Sequence, residues 1–189
     1  RLMYESLFDV SLEAPEGVPD DLAGRQAPEP TAEAGNVIFI HPDGTSPSHY
    51  AAARFASEGT DGRLNWDQMS HAGVYLGHIE DRLVSTSNAG AVVHAYGTKP
   101  FAGSYGFDAP VEDGGEEVVS LSGSNDTIMQ EAQAAGKAVG IINSGFIAEP
   151  GTGVFLADVD NRGETEEITA EILAQLPNVI LGAGETDYL

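Results

Sequence analysis

The chain has 189 residues, 41% of them hydrophobic, which is enough for one globular domain with its own core. Thirty Asp and Glu against eight Lys and Arg give a net charge of -22 and a pI near 4.2, a field that repels nucleic acid and anionic membrane surfaces. Zero cysteines exclude disulfides and thiolate metal sites, so any metal must be held by carboxylate, imidazole or hydroxyl groups.

The acid is dispersed along the chain, as at Glu13, Asp61, Asp113, Asp158 and Glu171, and the lysines are only Lys99 and Lys137. That pattern is expected of a salt-adapted surface from a halophilic or marine source, because self-repulsion at this charge density calls for screening. The apolar run Val37 to Ile40 stops at His41, Pro42 and Asp43, far short of the roughly 20 apolar residues of a membrane span. A start at Arg1 with no basic-then-apolar leader reads as a mature extracellular or periplasmic product whose signal peptide is already removed.

In chain order, residues 1–35 combine an amphipathic segment, Leu2 to Leu12, with a Pro/Glu/Ala-rich stretch that has little to bury. They are expected to form an arm, and the exposed Leu2, Leu7 and Phe8 make it a candidate clasp for a homodimer. Residues 36–189 form the second region. Its short apolar runs, Val37 to Ile40, Gly73 to Leu76, Ala138 to Ile142 and Val179 to Leu181, are strand candidates. Helices are predicted over Tyr50 to Ser57, Ile128 to Ala135 and Ile168 to Leu176, after start signals at Ser46-Pro47, Asn125-Asp126 and Glu164-Thr165. Gly136 and Pro177 stop the last two. Residues 97–124, rich in glycine, read as an excursion loop. Continuous apolar strands alternating with amphipathic helices indicate an α/β fold with a largely parallel central sheet flanked by helices, a three-layer sandwich. Function in such sheets sits beyond the carboxyl ends of the strands.

Three segments at such positions carry chemistry. In Pro42-Asp43-Gly44 a carboxylate at a strand end can reach a divalent cation, with a glycine that permits close backbone approach. The same sequence also describes a turn aspartate capping the next helix. Ser85-Thr86-Ser87 leads into a small-residue helix, where a hydroxyl meets free N–H groups that favour phosphate oxygens, or where one of the three simply caps the helix. Glu149-Pro150-Gly151-Thr152 offers a carboxylate and a hydroxyl for a hard cation, and Arg162 suits bidentate phosphate recognition. An exposed turn glutamate and a surface ion pair of Arg162 with Asp158 or Asp160 are the alternatives.

In order and spacing these segments resemble the alkaline phosphatase family. Pro42-Asp43-Gly44 with Ala52-Ala53-Arg54 is similar to its first strand and helix, and Ser87 with Gly97-Thr98-Lys99 to its nucleophile segment. Gly136 to Gly140 and Val179 to Gly184 extend the likeness, which covers Asn36 to Leu189. The resemblance implies phosphate-monoester hydrolysis through a phosphoserine at a site with two zinc ions and one magnesium ion. Ser87 would be the nucleophile and a zinc ligand, Asp43 would bridge zinc and magnesium, Glu149 would ligate magnesium, and Arg162 would hold phosphate. Two departures stand out. Thr86 occupies the place of the family's aspartate that helps orient the arginine, which leaves Arg162 freer. Gly151 stands where a threonine ligand is usual, so the nearby Thr152 takes that assignment.

His41, His49, His71, His78 and His94 match none of the family's further ligands, although His41, beside Asp43, is placed to support one. The C-terminal remainder of the same enzyme is therefore expected to complete the site, and these 189 residues alone to bind zinc poorly and hydrolyse nothing measurable. A related metallo-hydrolase, a phosphodiesterase or sulfatase, would share the Asp43 strand but favour a different nucleophile. A non-catalytic acidic cation-binding module would explain the charge alone, and would tolerate Ser87→Ala.

Overall fold

A computed structural model of the chain describes residues 35–69, 73 and 75–183. Most of the proposed arm, including Leu2, Leu7 and Phe8, lies outside them, as do His71, Val74 and the end of the Val179 to Gly184 segment. The chain divides into two units, Arg1–Ile40 and His41–Leu189. In the first, the described residues include the predicted strand Val37 to Ile40, which has no strand assignment; Val37 and Ile38 are 84% and 85% exposed. A continuous apolar run becomes a central strand only where both faces are covered, and that burial is absent here. In the second unit, Gly73, Tyr75 and Leu76 likewise carry no strand assignment.

The described elements of the second unit are α1 (Pro47–Glu58), α2 (Ser87–Tyr96), α3 (Ile128–Ala134), β1 (Gly140–Phe146), α4 (Pro150–Gly153), α5 (Thr165–Ala174) and β2 (Val179–Ala183), with 3-10 turns at Asn65–Gln68 and Val111–Asp113. The three predicted helices are all present. In α3 the start is set by Thr127, whose hydroxyl accepts from Gln130 N–H while Gln130 Oε1 accepts from Thr127 N–H, a reciprocal box two residues beyond Asn125. The expected tight turn at Pro150-Gly151 is instead one helical turn, α4.

β1 and β2 pair in parallel, Ile141 opposite Ile180 and Ile142 opposite Leu181, as the α/β pattern required. Their side chains alternate. Ile141 is buried and Ile180 packs on the core, whereas Ile142 and Leu181 are exposed. The ladder slips between Ile142 and Phe146, where Asn143 Oδ1 accepts from Gly145 N–H at 2.8 Å and Asn143 Nδ2 donates to Thr152 Oγ1 at 3.0 Å. The irregularity thus ties the carboxyl end of β1 to α4.

The core is built by α2 through Ala91, Val92, Ala95 and Tyr96, by the segment from Ile147 to Val159, and by Ile168 and Ile172 of α5. α2 packs on α3 and α4, and α4 on β1 and α5. Small residues on α2 allow that close approach. Tyr105, fully buried, donates to Ala148 O at 2.9 Å, and its hydroxyl fills the space that a Cβ on Gly153 would take. The predicted excursion loop is drawn in at its neck: Phe107 bridges Glu117, Val118 N–H donates to Gly106 O at 2.7 Å, and Asp108 N–H to Glu116 O at 2.9 Å. Its exposed tip is anchored where Val111 N–H donates to Asp160 Oδ1 at 2.8 Å.

Candidate active site

The alternatives left open by the Ser85-Thr86-Ser87 cluster are resolved by hydrogen bonds. Thr86 caps α2: its Oγ1 accepts from Ala89 N–H at 3.3 Å and donates to Ala102 O at 2.7 Å. Ser85 Oγ turns back onto Thr86 O. Ser87, the first helical residue, is released from both jobs, and its Oγ donates to Asp43 Oδ1 at 3.1 Å across 44 positions of sequence. The adjacent Asn88 is buried and its Nδ2 donates to Ala102 O at 3.0 Å and Ser104 O at 2.8 Å, clamping the loop beneath the helix start. Asn88 is hard to single out in the sequence, where an amide inside a run of small apolar helix residues is its only signal.

Asp43 does make a turn, with Thr45 N–H donating to Pro42 O at 3.3 Å and Gly44 in the left-handed region at φ 64°. It does not cap the next helix. Ser46 holds that place, and its N–H donates to His49 Nδ1 at 3.0 Å. The backbone of Asp43 therefore serves the turn while its carboxylate faces Ser87.

Glu149 stands at the start of α4, and its carbonyl accepts from Thr152 N–H and Gly153 N–H. Its carboxylate is not used for capping and takes Arg162 Nη2 on Oε2 at 2.8 Å. The alternatives for Arg162 are thereby corrected: Asp158 goes to Tyr96 Oη and Asp160 to Val111 N–H, while Arg162 pairs with Glu149. The pair is about half exposed on each side. Nearby, burial pushes the Tyr105 hydroxyl up from its ordinary value, with the Arg162 charge opposing. Thr152 is buried. Its Oγ1 donates toward Ile147 O at 2.8 Å and Glu149 O at 3.1 Å and accepts from Asn143, which commits the hydroxyl to the backbone of the turn.

The residues thus meet as two pairs, Asp43 with Ser87 and Glu149 with Arg162, at the starts of two helices that pack together. Two hard oxygen donors 3.1 Å apart fit adjacent positions in a cation's coordination shell. Among the described residues no group of three or more His, Asp or Glu could hold a metal ion, so the fit is to part of a shell. Thr152 fits least. His41, expected beside Asp43 as a support for a ligand, and His94 bond through their Nδ1 atoms at 3.1 Å, and Tyr75 lies against His94. Burial and the neighbouring His41 hold the His94 imidazole below its ordinary pKa. Lys99 donates to Leu76 O at 2.8 Å and His78 O at 2.6 Å, so the Gly97-Thr98-Lys99 exit fastens the segment before α2.

The alkaline phosphatase family model matches residues 34–184. Among solved structures the chain is similar to the alkaline phosphatase of the Antarctic bacterium TAB5, with TM-score 0.59 and 20% identity over 73% of this chain and 36% of that one. A histidine-to-glutamate variant of that enzyme with Mg bound in its M3 site is similar at TM-score 0.61 and 21% identity, over 73% of this chain and 36% of that one. The cold-active alkaline phosphatase of the psychrophile Shewanella sp. is similar at TM-score 0.65 and 24% identity, over 78% of this chain and 35% of that one. No curated protein gives a significant match. The structural likenesses fix the fold class, an α/β architecture shared with bacterial enzymes. The chain belongs to the alkaline phosphatase family. It spans about a third of the length of the solved structures it matches.

Proposed function

We propose that this chain carries the nucleophile half of a phosphomonoesterase that works through a phosphoserine on Ser87. The observation that carries the reading is the 3.1 Å bond from Ser87 Oγ to Asp43 Oδ1, made by a serine relieved of capping by Thr86. Asp43 orients the hydroxyl with its proton turned away from the incoming phosphorus. Ser87 Oγ then forms the new P–O bond as the bond to the substrate alcohol breaks; the Ser87 proton leaves by way of Asp43 to solvent, and the departing alcohol takes up a proton from solvent. Arg162, a planar fork, holds two oxygens of the transferring group. Water cleaves the phosphoserine, releasing inorganic phosphate and restoring Ser87.

Two zinc ions and one magnesium ion, held in part by Asp43, Ser87 and Glu149, would supply positive charge that favours the serine alkoxide and neutralises the phosphoryl oxygens. Thr152 serves the turn in this reading. The C-terminal remainder of the enzyme supplies the other ligands, and the protein works as a secreted homodimer. The test is p-nitrophenyl phosphate turnover by the full-length gene product. Ser87→Ala is expected to lower kcat by at least about a thousandfold, on the scale of losing a nucleophile. Undiminished turnover in the variant would sink the assignment.

A further inference from the structure

We infer that Asn88 is a positioning residue for Ser87: it pins the start of α2 to the loop at Ala102, which keeps the Ser87 hydroxyl aimed at Asp43. The inference rests on the phosphatase reading and deepens it. Successive residues of a helix stand roughly 100° apart about its axis, so two neighbours cannot face the same way. Asn88 faces inward and is 4% exposed. Ser87, one position earlier, is thereby turned to the side on which its Oγ reaches Asp43 Oδ1 at 3.1 Å.

The anchor is built from both sides of the nucleophile. Asn88 Nδ2 donates to Ala102 O at 3.0 Å and to Ser104 O at 2.8 Å, which uses both of its N–H groups and leaves none for phosphate. Thr86, on the other side of Ser87, donates from Oγ1 to the same Ala102 O at 2.7 Å. Ser87 therefore sits between two residues fastened to one carbonyl. The loop that carries this carbonyl is fixed in turn, since Ala102 N–H donates to Asp81 Oδ1 at 2.9 Å and Ser104 Oγ to Phe107 O at 2.5 Å. Capping needs only Thr86, whose Oγ1 accepts from Ala89 N–H, so the two bonds from Asn88 serve something else. They resist rotation of the first turn of α2 about its axis, the motion that would carry Ser87 Oγ off its line to phosphorus.

The test compares the full-length gene product, loaded with zinc and magnesium, with its Asn88→Ala and Thr127→Ala variants. Thr127→Ala is the control, because it removes a fully buried hydroxyl that caps a different helix, α3, and donates to Phe155 O. Both variants are expected to melt at a lower temperature. Only Asn88→Ala is expected to slow single-turnover phosphorylation of Ser87 by p-nitrophenyl phosphate, by about thirtyfold to a hundredfold, the scale of a misplaced reacting group, with inorganic phosphate affinity and zinc content unchanged. An equal loss of rate in Thr127→Ala would make the effect one of general stability and overturn the inference. Unchanged phosphorylation in Asn88→Ala would overturn it too, as would a fall in phosphate affinity or zinc content that accounts for the slower rate. If Asn88→Ala does not fold, Asp81→Ala carries the test, because Asp81 is exposed and reaches the anchor only through Ala102 N–H. Phosphorylation about threefold to tenfold slower, at unchanged phosphate affinity, is then expected, and an unchanged rate overturns the inference. Failure of the phosphatase reading has a separate signature, undiminished turnover in Ser87→Ala or no phosphorylation of Ser87 in wild type, and either removes the inference with it.

Discussion

Thr86 decides what Ser87 can do. By base rate any of three adjacent hydroxyls could cap α2, and nothing in the sequence says which; the choice depends on Ala102 O, sixteen residues away, which accepts from Thr86 and fixes its rotamer. The partner of Arg162 was hidden for the same reason, because local sequence offered Asp158 and Asp160 and the fold gave each of them another bond. Asp158 is also where pH acts. Burial, with Glu171, Glu117 and Asp126 adding to it and the Tyr96 hydroxyl opposing, raises its pKa to about 6 from an ordinary 3.8. The folded state therefore binds this proton more tightly than the unfolded chain. The resulting stability is fully present below about pH 4 and is lost as pH rises through 6, a change of about 3 kcal/mol at most. Urea unfolding from pH 4 to pH 8 is expected to show wild type losing ground to Asp158→Asn as pH rises. A constant difference between the two would mean that Asp158 ionises as it does in the unfolded chain.

Among the elements, the helices with start signals, α1, α3 and α5, the last two also with stop signals, were legible in sequence because capping chemistry is local. α4 was not, since four residues that begin with a proline look the same as a turn. The exposed run Val37 to Ile40 misled in the other direction, because apolar content speaks of burial and burial depends on neighbours. α4 depends on Gly153, where a Cβ would enter the space held by the Tyr105 hydroxyl and would also meet Ala148 O at 3.2 Å. Gly153→Ala is expected to lose about 1–3 kcal/mol by overpacking, and to displace Glu149 from Arg162. Gly151→Ala, in the same turn with open space around it, is the control, and equal melting temperatures for the two would contradict this account.

For the whole molecule, a net charge of -22 dispersed over the sequence sets a repulsion that no single contact relieves. Raising NaCl from about 10 mM to about 1 M shortens the screening length from roughly 30 Å to roughly 3 Å, so the melting temperature is expected to climb through that range. A flat or falling curve would show that the acids are accommodated by local pairing. Composition gives the charge directly, and the order of motifs revealed the family. The division of the site into two pairs was not readable, because it depends on α2 and α4 packing side by side.

The excursion loop is closed at its neck by the Phe107–Glu117 bridge, and its tip is tied to Asp160 through Val111. Each strand of the neck is held independently of the peptide bonds at the tip. The turn at Glu112 to Gly114 is thus a natural place for a break in the chain: a protein cleaved there by a protease would keep Tyr105, Asp158 and the α4 turn in register, since none of them relies on the tip for its position.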